Sequence, residues 1–135
     1  MMMKALVGVE AVRLLRNDSR FNNDAASRLY YALYHACWAF LQSTKPPTPF
    51  DPIPFYQGQA NSYSHNKLEE KLRPHQDFAA VAGERWQHLL GRALRCRRKA
   101  DYASEGVEKQ LVDDLAGKVE VAVNGLHELL RSSGT

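Results

Sequence analysis

The sequence predicts an all-α protein, built as an antiparallel up-and-down bundle of four to five helices. Apolar residues recur at spacings of three and four along most of the chain, while proline and glycine are scarce within those stretches. No stretch shows the strict apolar–polar alternation of a half-buried strand. With 135 residues and a hydrophobic content of 44%, the chain is expected to form one domain, residues 1–135.

Residues 24–41, DAASRLYYALYHACWAFL, are predicted to form the central helix. Asn22, Asn23 and Asp24 offer capping side chains before it. The predicted buried stripe consists of Ala26, Leu29, Tyr30, Leu33, Ala36, Cys37, Phe40 and Leu41. Next to that stripe, three polar-tipped side chains share one side of the helix, where a ligand or partner could reach them: Arg28, Tyr31 and His35.

Four further helices are predicted, at residues 3–16, 65–73, 84–103 and 107–130. In the first, Leu6, Val9 and Val12 are helically spaced, and Leu14 and Leu15 are expected to widen the apolar stripe. Residues 75–83 are interpreted as a connecting segment. Residues 45–61 hold five of the six prolines and are predicted to form a long loop, because proline fixes φ and removes a backbone donor. The loop is either a tolerated surface insertion or, through its aromatic residues, a segment that packs on the domain or meets a partner.

The composition favours a cytoplasmic protein with no cofactor. Cys37 and Cys96 each fall inside a helical pattern and are expected to be reduced and at least half-buried. The five histidines are scattered, which argues against a metal site. The longest uncharged helical run is too short to cross a bilayer, and no signal-peptide pattern is present, so no membrane association is expected.

The helix predicted at 84–103 has a strongly basic face, formed by Arg85, Arg92, Arg95, Arg97, Arg98 and Lys99. Within it, a cationic ridge is predicted to bind phosphates of a nucleic acid or nucleotide: Arg92, Arg95, Arg98 and Lys99. Near its end, Arg98, Asp101 and Tyr102 share one face. The alternative for these three residues is a surface ion pair with a tyrosine packed on the helix end.

Several of these segments resemble the HEPN domain family, and in particular its small stand-alone bacterial and archaeal members. The resemblance rests on SRLYYALYHACWAFL in the central helix, the helix start at Ser64–His65, RRKADY at 97–102 and the amphipathic last helix, and it covers about residues 5–130. It implies a helical bundle that forms a homodimer. The partner it implies is a minimal nucleotidyltransferase, in a toxin–antitoxin-type system.

Many HEPN domains are metal-independent ribonucleases with an arginine followed, after four to six residues, by a histidine. The matching region here begins at Arg95 and has Asp101 where that histidine is expected. An aspartate is ionised at neutral pH and does not replace an imidazole in acid–base chemistry. Arg28 and His35 match the spacing literally, but on the helix where the family has a packing motif, so we interpret that match as coincidental.

Two functions remain. The first is a nucleotide- or RNA-binding module, and the alternative is an active HEPN endoribonuclease acting as a toxin. The catalytic candidates for the alternative are Arg95, Arg98, Asp101 and Tyr102, and, less favoured, Arg28 and His35. A scaffold whose basic face is merely solvated is the third interpretation. The degenerate motif favours binding over catalysis.

Overall fold

The computed structural model describes residues 1–15, 17, 22–48, 60–102 and 108–133, without the side chains of 60–65, 101, 102 and 133. In this part of the chain six helices are present and no strand. The helices are α1 (Met2–Leu15), α2 (Asn22–Gln42), α3 (Ala60–Leu72), α4 (Gln76–Ala82), α5 (Trp86–Tyr102) and α6 (Lys109–Ser133). The predicted all-α class is therefore confirmed.

Helix α2 lies at the centre of the fold and packs against α1, α3, α5 and α6. Its whole predicted stripe is buried, from Ala26 to Leu41. The buried surface is wider than predicted, because Ala32 and Trp38, at 1% exposure each, also face neighbouring helices. A helix packed on several sides must be apolar on most of its circumference. Small and aromatic side chains are interspersed along α2, so neighbouring helices can pack closely on several of its sides.

The end of α2 is closed by two hydroxyl groups. Ser43 Oγ donates to the Phe40 carbonyl at 2.6 Å, and Thr44 Oγ1 donates to the Leu41 carbonyl at 2.7 Å. These bonds satisfy carbonyls that have no partner within the helix. The Leu41 carbonyl also accepts a bond of 2.9 Å from the Thr48 backbone amide, so the chain turns immediately after the helix. Most of the predicted proline-rich loop, residues 49–59, lies outside the described residues, and α3 begins at Ala60, earlier than predicted.

The interpretation of residues 75–83 as a connecting segment is wrong, because they contain the seven-residue helix α4. Six helices therefore replace the predicted four to five. Phe78 is 1% exposed, and its ring lies 5.2 Å from the ring centroids of both Phe40 and Trp86. Helices this short are stabilised by tertiary packing rather than by intrinsic propensity. A seven-residue helix with a single buried residue, Phe78, shows no apolar periodicity from which the sequence could predict it.

The predicted stripe of α1 is correct in part. Val9 and Val12 are buried, whereas Leu14 is 69% exposed and does not widen the stripe as expected. Leu14 lies two positions beyond Val12, about 200° around the helix, and so faces away from the core. Arg13 instead connects α1 to α6 through an ion pair with Glu120.

The cysteine prediction is confirmed, since Cys37 and Cys96 are both free and buried. Burial raises the pKa of both thiols, and each therefore stays protonated at neutral pH. Among the described residues, no helix combines the length and the apolar character needed to cross a membrane.

Candidate functional site

The predicted cationic ridge lies on α5, but its four side chains differ in exposure. Arg95 and Lys99 are exposed, whereas Arg92 and Arg98 are half-buried. The guanidinium group of Arg95 extends back along the helix toward Gly91. A Cβ atom added to Gly91 would lie only 3.4 Å from Arg95 Nη1. The Arg95 side chain thus points toward the beginning of α5. The side chains of the candidates Asp101 and Tyr102 lie outside the described part of the chain.

An open cleft of about 860 Å³ lies between the beginning of α5 and α6. Its polar walls carry three basic side chains and three acidic ones, together with His88. The basic residues are Arg85, Arg92 and Lys118, and the acidic residues are Glu84, Asp113 and Asp114. We call the basic side chains at this cleft and its rim, together with His88, the basic patch. It consists of Arg85, His88, Arg92, Arg95 and Lys118.

His88 reports the electrostatics of the basic patch. Local desolvation lowers the pKa of His88, and four surrounding cations lower it further: Arg85, Arg92, Arg95 and Lys118. Four cationic side chains, from α5, α6 and the turn before α5, therefore all lower the pKa of the same imidazole. Because His88 is held neutral at pH 7, the positive charge of the patch resides on the arginines and the lysine.

Asp114 partly neutralises this charge. Its Oδ2 lies 3.2 Å from Arg92 Nη2 and 3.4 Å from Lys118 Nζ. The hydrogen bond from Arg92 and the charge of Lys118 lower the pKa of Asp114, so its carboxylate stays ionised down to more acidic pH than usual. Arg85 and Arg95, by contrast, form no ion pair among the described residues.

The predicted membership of Arg97 in the solvent-facing basic surface is wrong. Arg97 is only 6% exposed, and its guanidinium carbon lies 4.6 Å from the Tyr31 ring centroid and 5.9 Å from that of Tyr30. These are cation–π distances. Position 97 follows the buried Ala93 and Leu94 by four and three residues, which turns it toward the core. Arg97 therefore connects α5 to α2 and does not present its charge to a phosphate.

Sequence reasoning placed Arg85 on the basic face but not in the phosphate-binding ridge, and it did not identify His88 or Lys118 as members of this surface. A signal for Arg85 and His88 was present, because positions 85, 88, 92, 95 and 99 follow a spacing of three and four and so lie on one side of a helix. Lys118 had no such signal. It joins the patch only because α6 packs beside α5.

The less favoured candidates Arg28 and His35 line a different cleft, between α1 and α2. The expectation that Arg28, Tyr31 and His35 share one side of α2 is confirmed, because all three line this cleft. Arg28 and His35 therefore lie apart from the site residues predicted on α5, of which Arg92 lines the α5–α6 cleft. His88, rather than His35, is the histidine beside the arginines of α5.

Comparison of the chain with protein-family models, with curated proteins and with solved structures finds no significant match. Evidence for a function is therefore confined to the arrangement of this chain's own side chains.

Proposed function

We propose that this protein is an RNA- or nucleotide-binding module that holds phosphate groups on the basic patch. The observation that carries the proposal is that Arg85, Arg92 and Lys118 line one cleft together with His88, with Arg95 exposed on the same side of α5. Clustered arginines and lysines attract phosphates with little sequence preference, and counterion release makes such binding strongly dependent on salt. Lys99, exposed one turn beyond Arg95, extends the patch along α5.

The shape of the site agrees with this function. The cleft of about 860 Å³ lies within the range of small-ligand sites, so a nucleotide fits between α5 and α6. Its wall includes Leu89 and Val121, and Val121 is 71% exposed. An apolar wall beside cations suits a base next to its phosphate.

Replacing Asp114 by Asn should tighten RNA binding, because it releases Arg92 and Lys118 from their shared carboxylate. One added phosphate contact with single-stranded RNA at about 0.1 M salt corresponds to roughly a fivefold gain in affinity. Fluorescence anisotropy with a labelled single-stranded RNA measures the change. Glu128→Gln is the control, since it makes the same change in charge at the surface ion pair with Arg131. Equal gains in RNA affinity in both variants would mean that the effect comes from the change in net charge and not from the release of Arg92 and Lys118.

The resemblance to HEPN proteins extends the proposal to a homodimer and to a minimal nucleotidyltransferase as partner. A two-fold dimer would present two basic patches to one RNA. Sedimentation velocity at micromolar concentration is expected to give twice the chain mass of 15.3 kDa. A single species of 15.3 kDa at that concentration would contradict the dimer, but not phosphate binding by one chain.

The alternative is a metal-independent ribonuclease, and one observation favours it. His88 lies in the field of Arg95 and has a lowered pKa, so at neutral pH it is an imidazole able to accept a proton. This alternative predicts RNA cleavage in the presence of a chelator that is lost in His88→Ala. Binding without cleavage assigns the site to the module function.

A further inference from the structure

A second cleft, of about 340 Å³, lies between α1 and α2 and is built differently from the first. One wall is apolar and exposed, with Met3 at 71% and Val7 at 60% exposure. The floor is closed because the helices approach closely there: a Cβ on Gly8 would lie 3.0 Å from the Cβ of Ala32. The polar side chains of the cleft are Lys4 on α1 and Arg28, Tyr31 and His35 on α2.

The charge of this cleft is purely positive in the described part of the chain. Lys4 and Arg28 are exposed, neither forms an ion pair among the described residues, and no acidic side chain lines the cleft there. This contrasts with the α5–α6 cleft, where three carboxylates offset the cations. Two uncompensated cations facing exposed apolar side chains suit a ligand with an anionic end and an apolar body.

His35 adds a second, independent feature. Its Nδ1 atom is buried and has no hydrogen-bond partner among the described residues, so a water molecule or a bound ligand is needed to satisfy it. The ring is held in place between aromatic neighbours, with the Tyr31 ring stacked at 6.3 Å and the Tyr34 ring edge-on at 5.7 Å. Tyr31 is itself fixed by Arg97 from α5. These contacts fix the orientation of Tyr31 and His35 in the cleft.

We propose that the α1–α2 cleft binds a small organic anion, a phosphate or carboxylate attached to an apolar body. Lys4 and Arg28 would pair with the anionic group, while Met3 and Val7 would cover the apolar body. This site is separate from the basic patch and does not depend on the RNA-binding function.

Binding at this site is coupled to the charge of His35. The charged and titratable groups around it are the terminal amino group of Met1, Lys4 on α1, and Arg28, Tyr31 and Tyr34 on α2. Desolvation and the positive charges of Lys4 and the amino group lower the pKa of His35. A bound anion offsets those charges and favours the imidazolium, so binding raises the pKa. By linkage, affinity increases as the pH falls through the pKa of His35.

The test is an NMR titration of the histidine ring resonances of the full chain with four probes. Phenyl phosphate and benzoate carry an anion on an apolar body, benzyl alcohol lacks the charge, and inorganic phosphate lacks the body. We expect the two aromatic anions to shift the His35 resonance and raise its pKa, and the other two probes to bind at least about tenfold more weakly. A response to phenyl phosphate alone would specify a phosphate, and to benzoate alone a carboxylate. Equal binding of inorganic phosphate, or no response to either aromatic anion, would overturn the proposal.

Arg28→Gln and Lys4→Gln should each weaken binding of the responding anion by about tenfold or more, and both replace exposed side chains that the core does not need. Arg95→Gln, on the basic patch, and Arg73→Gln, at the end of α3, are matched controls that should leave it unchanged. Loss of affinity in the controls as large as in Arg28→Gln would assign the effect to net charge and refute the site. RNA affinity, in turn, should fall in Arg95→Gln and stay unchanged in Arg28→Gln. The experiment can therefore refute the anion site and the RNA-binding site independently of each other.

Discussion

Replacing Leu33 by Ala is expected to lower the free energy of unfolding by about 2–5 kcal/mol. Leu33 is 2% exposed and lies in the middle of α2, the helix that packs against α1, α3, α5 and α6. Truncation removes buried methyl groups and leaves a cavity that helices packed on several sides cannot close by moving together. Urea denaturation followed by far-UV circular dichroism measures the loss.

The matched control is Leu14→Ala in α1. It makes the same chemical change at a side chain that is 69% exposed, so its effect should stay within about 0.5 kcal/mol. A loss below about 1 kcal/mol at Leu33, or similar losses at both positions, would mean that the buried face of α2 is wrongly assigned.

Replacing Arg85 and Arg95 together by Gln is expected to give the largest loss of RNA affinity among variants of the basic patch. Both side chains are exposed and form no ion pair among the described residues, so their charge is fully available to phosphates. Each lost phosphate contact reduces the slope of log affinity against log salt by about 0.7 for a single strand, or about 1.4 for two. Anisotropy titrations from about 50 to 200 mM salt measure affinity and slope together.

The double variant Arg73→Gln and Arg131→Gln is the control, because it removes the same charge from exposed positions on α6 and at the end of α3. It should leave the slope unchanged. If the control lowers affinity and slope as much as the patch variant, binding follows net charge and the basic face is only a solvated surface.

The central helix and the all-α class could be predicted from the sequence because both depend on local periodicity. In α2, every predicted stripe residue is buried, since spacings of three and four put those side chains on one face whatever the partner helices are. In α6, Leu115, Val119, Ala122 and Leu126 recur at the same spacings and are buried for the same reason. The placement of Arg28, Tyr31 and His35 on one side of α2 likewise follows from helix geometry.

Periodicity was insufficient where only a neighbouring element decides a residue's environment. Arg97 looked like one more cation of a basic face, yet Tyr30 and Tyr31 of α2 cover it. Helix α4 has seven residues and owes its place to the contacts of Phe78 with Phe40 and Trp86, which are distant in sequence. The rings that contact Arg97 and Phe78 lie on other helices, and no local spacing identifies them.

The sequence alone therefore determined the all-α class and the buried stripe of the central helix, because both follow from the period of one helix. Only the tertiary structure decided how the charges meet. Asp114 and Lys118 reach Arg92 because α6 packs beside α5, and Lys4 joins Arg28 because α1 packs on α2. Charge pairing and cleft formation depend on distances between helices, and those distances are set by how the apolar faces pack together.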